Sequence, residues 1–537
     1  MTALLRNLTT NPKNDILSGL TVALALVPEA VAFAFVAGLD PLVGLYGAFF
    51  MGIITAIFGG RPGMISGATG AMAVVMIHMI QEGNAVGLAL DNAIPNLGLQ
   101  WLLITLLIVG GIQIFGGLMK IGKFVRLIPH PVMMGFVNGL AIVIFLAQLG
   151  MFKETVNGVT SYLQGSELYI MIALVALTMA IMYFLPKLTT KIPSALAAII
   201  IVAAITIFGG LDVSTVGSFI RDGGGTGLNG GLPTFQFQIF EMFQTIGPHL
   251  GLIVTTAFLL AAVGLIESLL TLNLVDELTD TRGSANRECV AQGVGNILSG
   301  LFGGMGGCAM IGQSIINVKS GGRGRLSGIV ASVTLLCFVL FASPLIEQIP
   351  IAALVGVMFM VVIGTFAWSS FRIINKIPVA DAVVLVAVSL ITVFADLAIA
   401  VIIGVIMSAL VFAWKNATMI RARKSLKPDG TKVYEIWGPL FFGSVQNFMQ
   451  KFDVKNDPDN IEIDFIESKV NDHSGIEALH NIANKYLDAG KTVRITHLSP
   501  ECQVLLTKSN PKWKDYIETS IDDPRYYVVT DTVDKEV

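Results

Sequence analysis

Charge is what this chain of 537 residues has least of. Asp, Glu, Lys and Arg make up 13% of it, against roughly 25% in soluble domains, while 54% is hydrophobic. The deficit belongs to residues 1–415, and the remainder has the composition of a soluble domain. A net charge of −3 gives no basic footprint for a nucleic-acid partner. Four cysteines, Cys289, Cys308, Cys337 and Cys502, fit neither a metal pattern nor a disulfide framework and read as free thiols. No phosphate-binding loop is present, which argues against direct drive by ATP. No nucleophile–base or metal-ligand set stands out, so neither an enzyme nor a cofactor is implied. Arg6 and Lys13 precede the first apolar run, but no small-residue cleavage site follows, so a signal peptide is not expected.

What is present is long apolar sequence. A membrane-crossing helix needs roughly 20 apolar residues. Candidate spans lie at 16–36, 42–58, 99–119, 131–150, 168–185, 193–209, 250–272, 325–343, 351–367, 379–394 and 397–414, with shorter or glycine-interrupted stretches at 65–81, 288–303 and 307–318. That is about fourteen segments. Basic residues cluster in cytoplasmic loops. With both termini inside, 16 of the 18 Lys and Arg up to residue 415 fall on the inner side, leaving Lys153 and Arg221 outside. The expected place is the plasma (inner) membrane, multi-pass, with cytoplasmic N- and C-termini.

The long connection 211–247 carries seven glycines between Gly217 and Gly231 and reads as the joint between two halves. Each half has an acid in its first span, Glu29 after Pro28 and Glu267 before Ser268. Each then has a glycine-rich break opening a short helix, Ile65-Ser66-Gly67-Ala68-Thr69-Gly70 and Gly303-Gly304-Met305-Gly306-Gly307-Cys308. The 238-residue offset between the two glutamates carries Thr69 onto Gly307. Seven spans per half, an odd number, make the repeats inverted, and interrupted spans at matching places mark a transporter's binding site.

A helix that starts within the membrane exposes unpaired N–H groups and a positive dipole end, which favour anions. No basic residue lies deep in a span, so helix starts must supply the positive field. Glycines at 67, 70, 306 and 307 let backbone approach a ligand, and Ser66 and Thr69 add hydroxyls. The plainer role for such glycines is helix packing. Intramembrane carboxylates are costly and usually functional, although Glu29 also reads as a partner for backbone freed by Pro28. His78 reads as an interior histidine or a proton relay, and Asn138 and Gln148 as hydrogen-bonding links between helices.

After Lys415 comes a basic stretch, 416–431, read as a linker that could contact anionic lipid. Residues 432–537 alternate strand and helix patterns: strands at 433–442, 461–466, 493–497 and 526–529, helices at 445–452, 476–489 and 502–508. Ser474 with Glu477 fits a helix capping box, and Ser474 is also a candidate regulatory phosphosite.

Several motifs in order then give a resemblance. VPEAVAFAFVAGLDPLVGLYGAFF from Val27, FGGRPGMISGATGA from Phe58, GLIESLLT from Gly264, AQGVGNILSGLFGG from Ala291 and SGGRGRLSG from Ser320 resemble the sulfate permease (SulP) family of anion transporters. DHSGIEAL from Asp472 resembles the turn of that family's C-terminal STAS domain. The resemblance implies an α-helical polytopic membrane protein of about fourteen segments in two inverted repeats of seven, with core and gate subdomains and a small C-terminal α/β STAS-like domain. The domains would be 1–415 for transport, 416–431 as linker and 432–537 as the cytoplasmic STAS-like part.

It also implies elevator-like alternating access and a homodimer. The anion would sit between Ser66, Gly67, Ala68, Thr69 and Gly70 on one side and Gly307, Cys308, Ala309 and Met310 on the other. Glu267, Thr271 and Glu29 are the coupling-ion candidates. Relatives similar to sodium-coupled bicarbonate transporters carry Asp at the position of Glu267 and Thr at that of Ile311, so H+ is favoured here, with Na+ at Glu267 left open. The expected function is secondary active transport of a small anion (bicarbonate, sulfate or dicarboxylate) by symport with H+ or Na+. An uncoupled anion channel or exchanger is the alternative, and a nucleobase permease of similar architecture is disfavoured by the soluble tail.

Overall fold

A computed structural model describes residues 11–89, 94, 96–123, 129–156, 159–189, 193–222, 230–237, 247–395, 397–509 and 511–518. It divides into two compact units, residues 1–405 and 406–537. The sequence-read strand at 526–529 and residues 223–229 and 238–246 of the glycine-rich joint lie outside the described residues.

The first unit and the helix that leaves it supply fourteen segments. In the first half these are α1 (Pro12–Val36), α2 (Pro41–Phe58), α3 (Gly70–Ala89), α4 (Leu97–Leu118), α5 (His130–Leu149), α6 (Gly165–Leu188) and α7 (Ser194–Phe208). In the second they are α8 (Leu250–Thr279), α9 (Ala285–Leu301), α10 (Ile311–Lys319), α11 (Arg325–Phe341), α12 (Ile351–Thr365), α13 (Val379–Phe394) and α14 (Leu397–Thr418). Among the described residues nine helical stretches are long and apolar enough to cross a membrane, and three more are apolar but shorter. Missing from that set are α9, which is too polar, and α10, which is too short, and both border the break in the second half.

The breaks are two three-residue strands, β1 (Ser66–Ala68) and β2 (Gly307–Ala309). They pair antiparallel, Ser66 with Ala309, Gly67 with Cys308 and Ala68 with Gly307. An antiparallel pair with one strand from each half is the contact that inverted repeats make. One residue separates each strand from its helix, Thr69 before α3 and Met310 before α10. The structural counterpart of Thr69 is therefore Met310. The 238-residue offset lands three residues early, because the connection from the acid to the break is longer in the second half.

The helices sort into two groups. α1, α2, α3 and α4 pack with α8, α9 and α11 around the strand pair, while α5, α6 and α7 pack with α12 and α13. Small residues allow the closest contacts. A Cβ on Gly110 of α4 would stand 2.4 Å from the Gly293 carbonyl of α9, and one on Gly293 would stand 2.6 Å from that of Gly110. Without a hydrophobic force between helices in lipid, such close packing is what holds them.

The second unit is an α/β domain with a four-stranded sheet. Its strands are β3 (Arg421–Leu426), β4 (Lys432–Trp437), β5 (Asn460–Glu467) and β6 (Thr492–Thr496), hydrogen-bonded in that order. β3 runs antiparallel to β4, and the other pairings are parallel. The basic stretch read as linker thus contains an edge strand. Its exposed Arg and Lys are a usual protection of a sheet edge against adding further strands. Tyr434, Phe448, Phe465, Leu479, Tyr486 and Ile495 are buried in the core. Asp457, buried beneath them, accepts from the hydroxyl of Tyr434 at 2.6 Å and also from Tyr486 and Lys432. Burial raises its carboxyl, but these donors outweigh burial and hold it below the usual carboxylate range.

The helix α15 (His473–Asp488) is capped differently from the capping-box reading. Asp472 is the cap: Oδ1 accepts from Gly475 N at 2.8 Å and Oδ2 from Phe442 N at 2.8 Å. Ser474 stands inside the first turn, partly buried. A carboxylate at the N-cap satisfies the same orphan donors as a serine and also meets the helix dipole.

Candidate functional site

Each glycine-rich break forces the chain out of helix and back into it, leaving two helix starts on opposite ends of one strand pair. Only about 10 Å of extended chain separates them, at 3.4 Å per residue. Among the described residues, no side chain caps either start. Met310 precedes α10 without one. Thr69 accepts the first helical bond of α3 through its carbonyl, from Ala73 N at 2.9 Å, while its hydroxyl turns to Cys308. The unpaired N–H groups and the positive dipole ends remain available to an anion.

The second-half carboxylate reaches this place. Cys308 Sγ donates to Glu267 Oε2 at 2.9 Å and lies 3.1 Å from Thr69 Oγ1. One turn on, Thr271 donates to the Glu267 carbonyl at 2.8 Å, with the Ala309 carbonyl 3.5 Å from its hydroxyl. The neighbouring Ser268 holds the strand, accepting from Ala309 N at 3.0 Å. Ser66, Thr69, Glu267, Cys308 and Met310 are all buried. Thus Thr69, Cys308, Ala309, Glu267 and Thr271 come together.

The two glutamates are used differently. Glu29 accepts from Gln313 Nε2 on α10 at 2.8 Å, so the first-half acid crosses to the second-half helix rather than serving carbonyls near Pro28. Ser66 Oγ accepts from Gln292 Nε2 at 2.9 Å and is engaged with α9. The glycines make room for protein. A Cβ at Gly307 would stand 2.2 Å from the Gly67 carbonyl, one at Gly70 would meet the Phe33 ring at 2.7 Å, and one at Gly306 would meet Leu106 at 2.6 Å. His78 is exposed on α3, which removes the interior-histidine reading. Asn138 does join helices, donating to Ser370 Oγ at 3.0 Å and accepting from Ala367 N at 2.8 Å, but Gln148 Nε2 is buried with no partner among the described residues.

Sequence reasoning missed the polar wall behind the strands. Glu288, Gln292, Asn296 and Ser299 lie along the buried face of α9. Asn296 clamps the Gly307 peptide, accepting from its N–H at 3.0 Å and donating to its carbonyl at 3.1 Å. Gln292 links Ser66 to Glu288, which in turn accepts from Gly60 N at 2.7 Å. The signal was present: three polar residues at i, i+4 and i+8 within a candidate membrane span mark one helix face. Two buried arginines were also missed. Arg325 donates to the carbonyls of Ala56, Ile57 and Gly59 and closes the end of α2. Arg61 pairs with Asp276 at 3.1 Å and donates to Val275 O near the end of α8.

Comparison with known proteins places this arrangement. The sequence profile of the sulfate permease family matches residues 13–388, and that of the STAS domain matches residues 423–520. The chain belongs to the sulfate permease family. A putative sulfate transporter, YbaR of Bacillus subtilis (strain 168), is 41% identical over 92% of this chain and 96% of its own. The bicarbonate transporter BicA of Synechocystis is 31% identical over 93% of this chain and 90% of its own. Among solved structures, the transmembrane domain of a cyanobacterial BicA superposes with a TM-score of 0.61 at 32% identity, covering 73% of this chain and 98% of that one. Murine Slc26a9, an anion transporter, has the same fold, with a TM-score of 0.76 at 17% identity over 96% of this chain and 91% of its own. This sulfate permease family member is a multi-pass membrane protein with a C-terminal STAS domain.

Proposed function

We propose that the protein is a secondary active transporter of a small oxyanion, with sulfate, bicarbonate and dicarboxylates as the candidate substrates, and that H+ is the coupling ion. The anion occupies the paired helix starts at Thr69–Gly70 and Met310–Ile311, and Glu267 carries the proton. The observation that carries this reading is the direct hydrogen-bonded link from a membrane-buried carboxylate through Cys308 to the hydroxyl at one of those helix starts. The names of relatives at 41% and 31% identity supply sulfate and bicarbonate.

A protonated Glu267 is neutral and can travel with a moving subdomain. An ionised, unpaired one would cost several kcal/mol in apolar surroundings. Ile311 follows Met310 at the start of α10 and offers no side-chain oxygen to sodium, which supports H+ over Na+ as the cotransported cation. The group around the strand pair would be the moving core and the other group the gate, in elevator-like alternating access. The distribution of basic residues supports cytoplasmic termini, and phosphorylation of Ser474 beside the Asp472 cap would regulate through added negative charge.

Uptake into proteoliposomes tests the reading. Sulfate, bicarbonate and fumarate are compared under an imposed pH gradient and, separately, a sodium gradient. Accumulation of one of them driven by acid outside supports symport with H+. Equilibration without accumulation under either gradient would replace it with an uncoupled channel or exchanger.

A further inference from the structure

Three side chains form a row between the first-half helix start and the second-half carboxylate: Thr69 Oγ1, Cys308 Sγ and Glu267 Oε2, at 3.1 and 2.9 Å. The row is sealed, with Thr69 3% exposed, Cys308 0% and Glu267 8%. Among the described residues, Cys308 alone is hydrogen-bonded to the Glu267 carboxylate. Other ionisable groups on the packed elements are engaged elsewhere or lie at the edge. On α9, Glu288 is held by Gly60 and Gln292, and Cys289 packs against Leu269 and Leu270. On α1, Glu29 is held by Gln313. His78 and Glu82 on α3, His130 at the start of α5 and Lys319 at the end of α10 are exposed, and α4 has no charged residue.

A thiol has one proton to give, and so has a hydroxyl. That count sets the direction of the row. When Glu267 is ionised it can only accept, so the Cys308 S–H points to it, and Sγ then accepts from the Thr69 O–H. The Thr69 proton is turned away from the helix start, and its lone pairs face any anion there. When Glu267 is protonated, its O–H donates to Sγ, the S–H swings to donate to Thr69 Oγ1, and the Thr69 O–H is released to donate to the anion. The one proton added is that on Glu267, and every other proton stays on its own heavy atom.

We propose that Cys308 is a positioning residue that relays the protonation state of Glu267 to the anion-facing hydroxyl of Thr69 by reversing this row. The relay rests on the reading of Glu267 as the proton carrier. A thiol is suited to it, because it both donates and accepts weakly, and neither direction is locked.

Equilibrium binding of radiolabelled sulfate and bicarbonate to the full-length protein in nanodiscs, across pH, tests the relay. One linked proton makes affinity rise by at most about tenfold for each unit of falling pH. Wild type should show such a rise. Cys308→Ala should flatten it, and Cys308→Ser, which still donates and accepts, should restore it. A merely structural role for Cys308 would shift affinity in parallel at all pH values.

The infrared S–H stretch of Cys308, assigned by its loss in Cys308→Ala, gives a readout on otherwise intact protein. It should move between two positions as pH falls, and Glu267→Gln should hold it in the low-pH position. A pH-linked wild type with an unchanged slope in Cys308→Ala, or with an S–H band indifferent to pH, overturns the relay and leaves Glu267 as carrier. A wild type whose anion affinity ignores pH overturns the proton reading itself, and the relay with it. If Cys308→Ala does not fold, Cys308→Ser assigns the S–H band by its loss instead, and that band in wild type against Glu267→Gln decides.

Discussion

Gly67 and Cys308 face each other at the centre of a strand pair, one contributed by each half of the membrane domain. This pairing fixes the two helix starts relative to one another through backbone hydrogen bonds. Side chains then decide what each start can do. On the Cys308 side the thiol reaches Glu267 and Thr69.

The strand contact leaves no room for a methyl group at one position. A Cβ on Gly307 would stand 2.2 Å from the Gly67 carbonyl, an atom that cannot move without breaking the pair. Gly307→Ala should destabilise the purified protein by about 1–3 kcal/mol or more. Thermal unfolding in detergent checks this, and a melting temperature equal to wild type would show that the strands are not paired as described.

Thr69 offers a gentler way to test the anion site. An acidic residue next to a helix start is compatible with the dipole, so Thr69→Asp should remain folded. Its carboxylate would occupy or repel the place of the anion. Anion binding should be lost with melting temperature within a few degrees of wild type. Unimpaired uptake by this variant would remove Thr69 from the site.

The residues of the proposed site all precede Met419, so the STAS domain should not be needed to bind the anion. Because β3 begins at Arg421 and pairs with β4, the cut must fall before Arg421 to avoid leaving half a sheet. A chain ending at Thr418 should bind sulfate or bicarbonate with wild-type affinity, measured in detergent by equilibrium binding. Loss of binding in a folded truncation would assign part of the site to the tail.

Asp457 gives the soluble domain a predictable response to acid. Its carboxyl is held below the usual range when folded, so the stability it contributes is present above the unfolded carboxylate value, near pH 4, and is lost as pH falls through the folded value. Asp457→Asn should cost about 1.5–3 kcal/mol at neutral pH by weakening charged hydrogen bonds. It should also remove that part of the acid sensitivity. Urea unfolding of residues 419–537 at pH 7 and pH 3 measures both, and identical losses at the two pH values would contradict the assignment.

Fourteen segments, the two breaks and the two intramembrane acids were legible in the sequence because each is a local signal: a run of apolar residues, a cluster of glycines, a charge where lipid forbids one. The partners of those acids were not. Gln313 lies 284 residues from Glu29, and Cys308 lies 41 from Glu267. Only the antiparallel register brings them into reach, and a fixed repeat offset could not supply that register. The offset matched Thr69 to Gly307, where the structure sets Thr69 against Met310.

The same limit explains β3. Arg421, Arg423 and Lys424 read as linker, since strand patterns are sought in alternating apolar residues. An edge strand with both faces largely wet has none to show. Asn296 was overlooked because its role depends on the Gly307 peptide it clamps, although the polar stripe along α9 could have drawn notice to it.

The central claim is that Glu267 carries the coupling proton, and one measurement tests it most directly. Wild type and Glu267→Gln are reconstituted in proteoliposomes, and uptake of labelled sulfate or bicarbonate is followed under an inward pH gradient without sodium, then under an inward sodium gradient at equal pH. The account predicts that wild type accumulates the anion under the pH gradient alone. Glu267→Gln, fixed in a neutral form, should lose accumulation while still exchanging internal for external anion. Accumulation driven by sodium alone, with no response to acid outside, would contradict it.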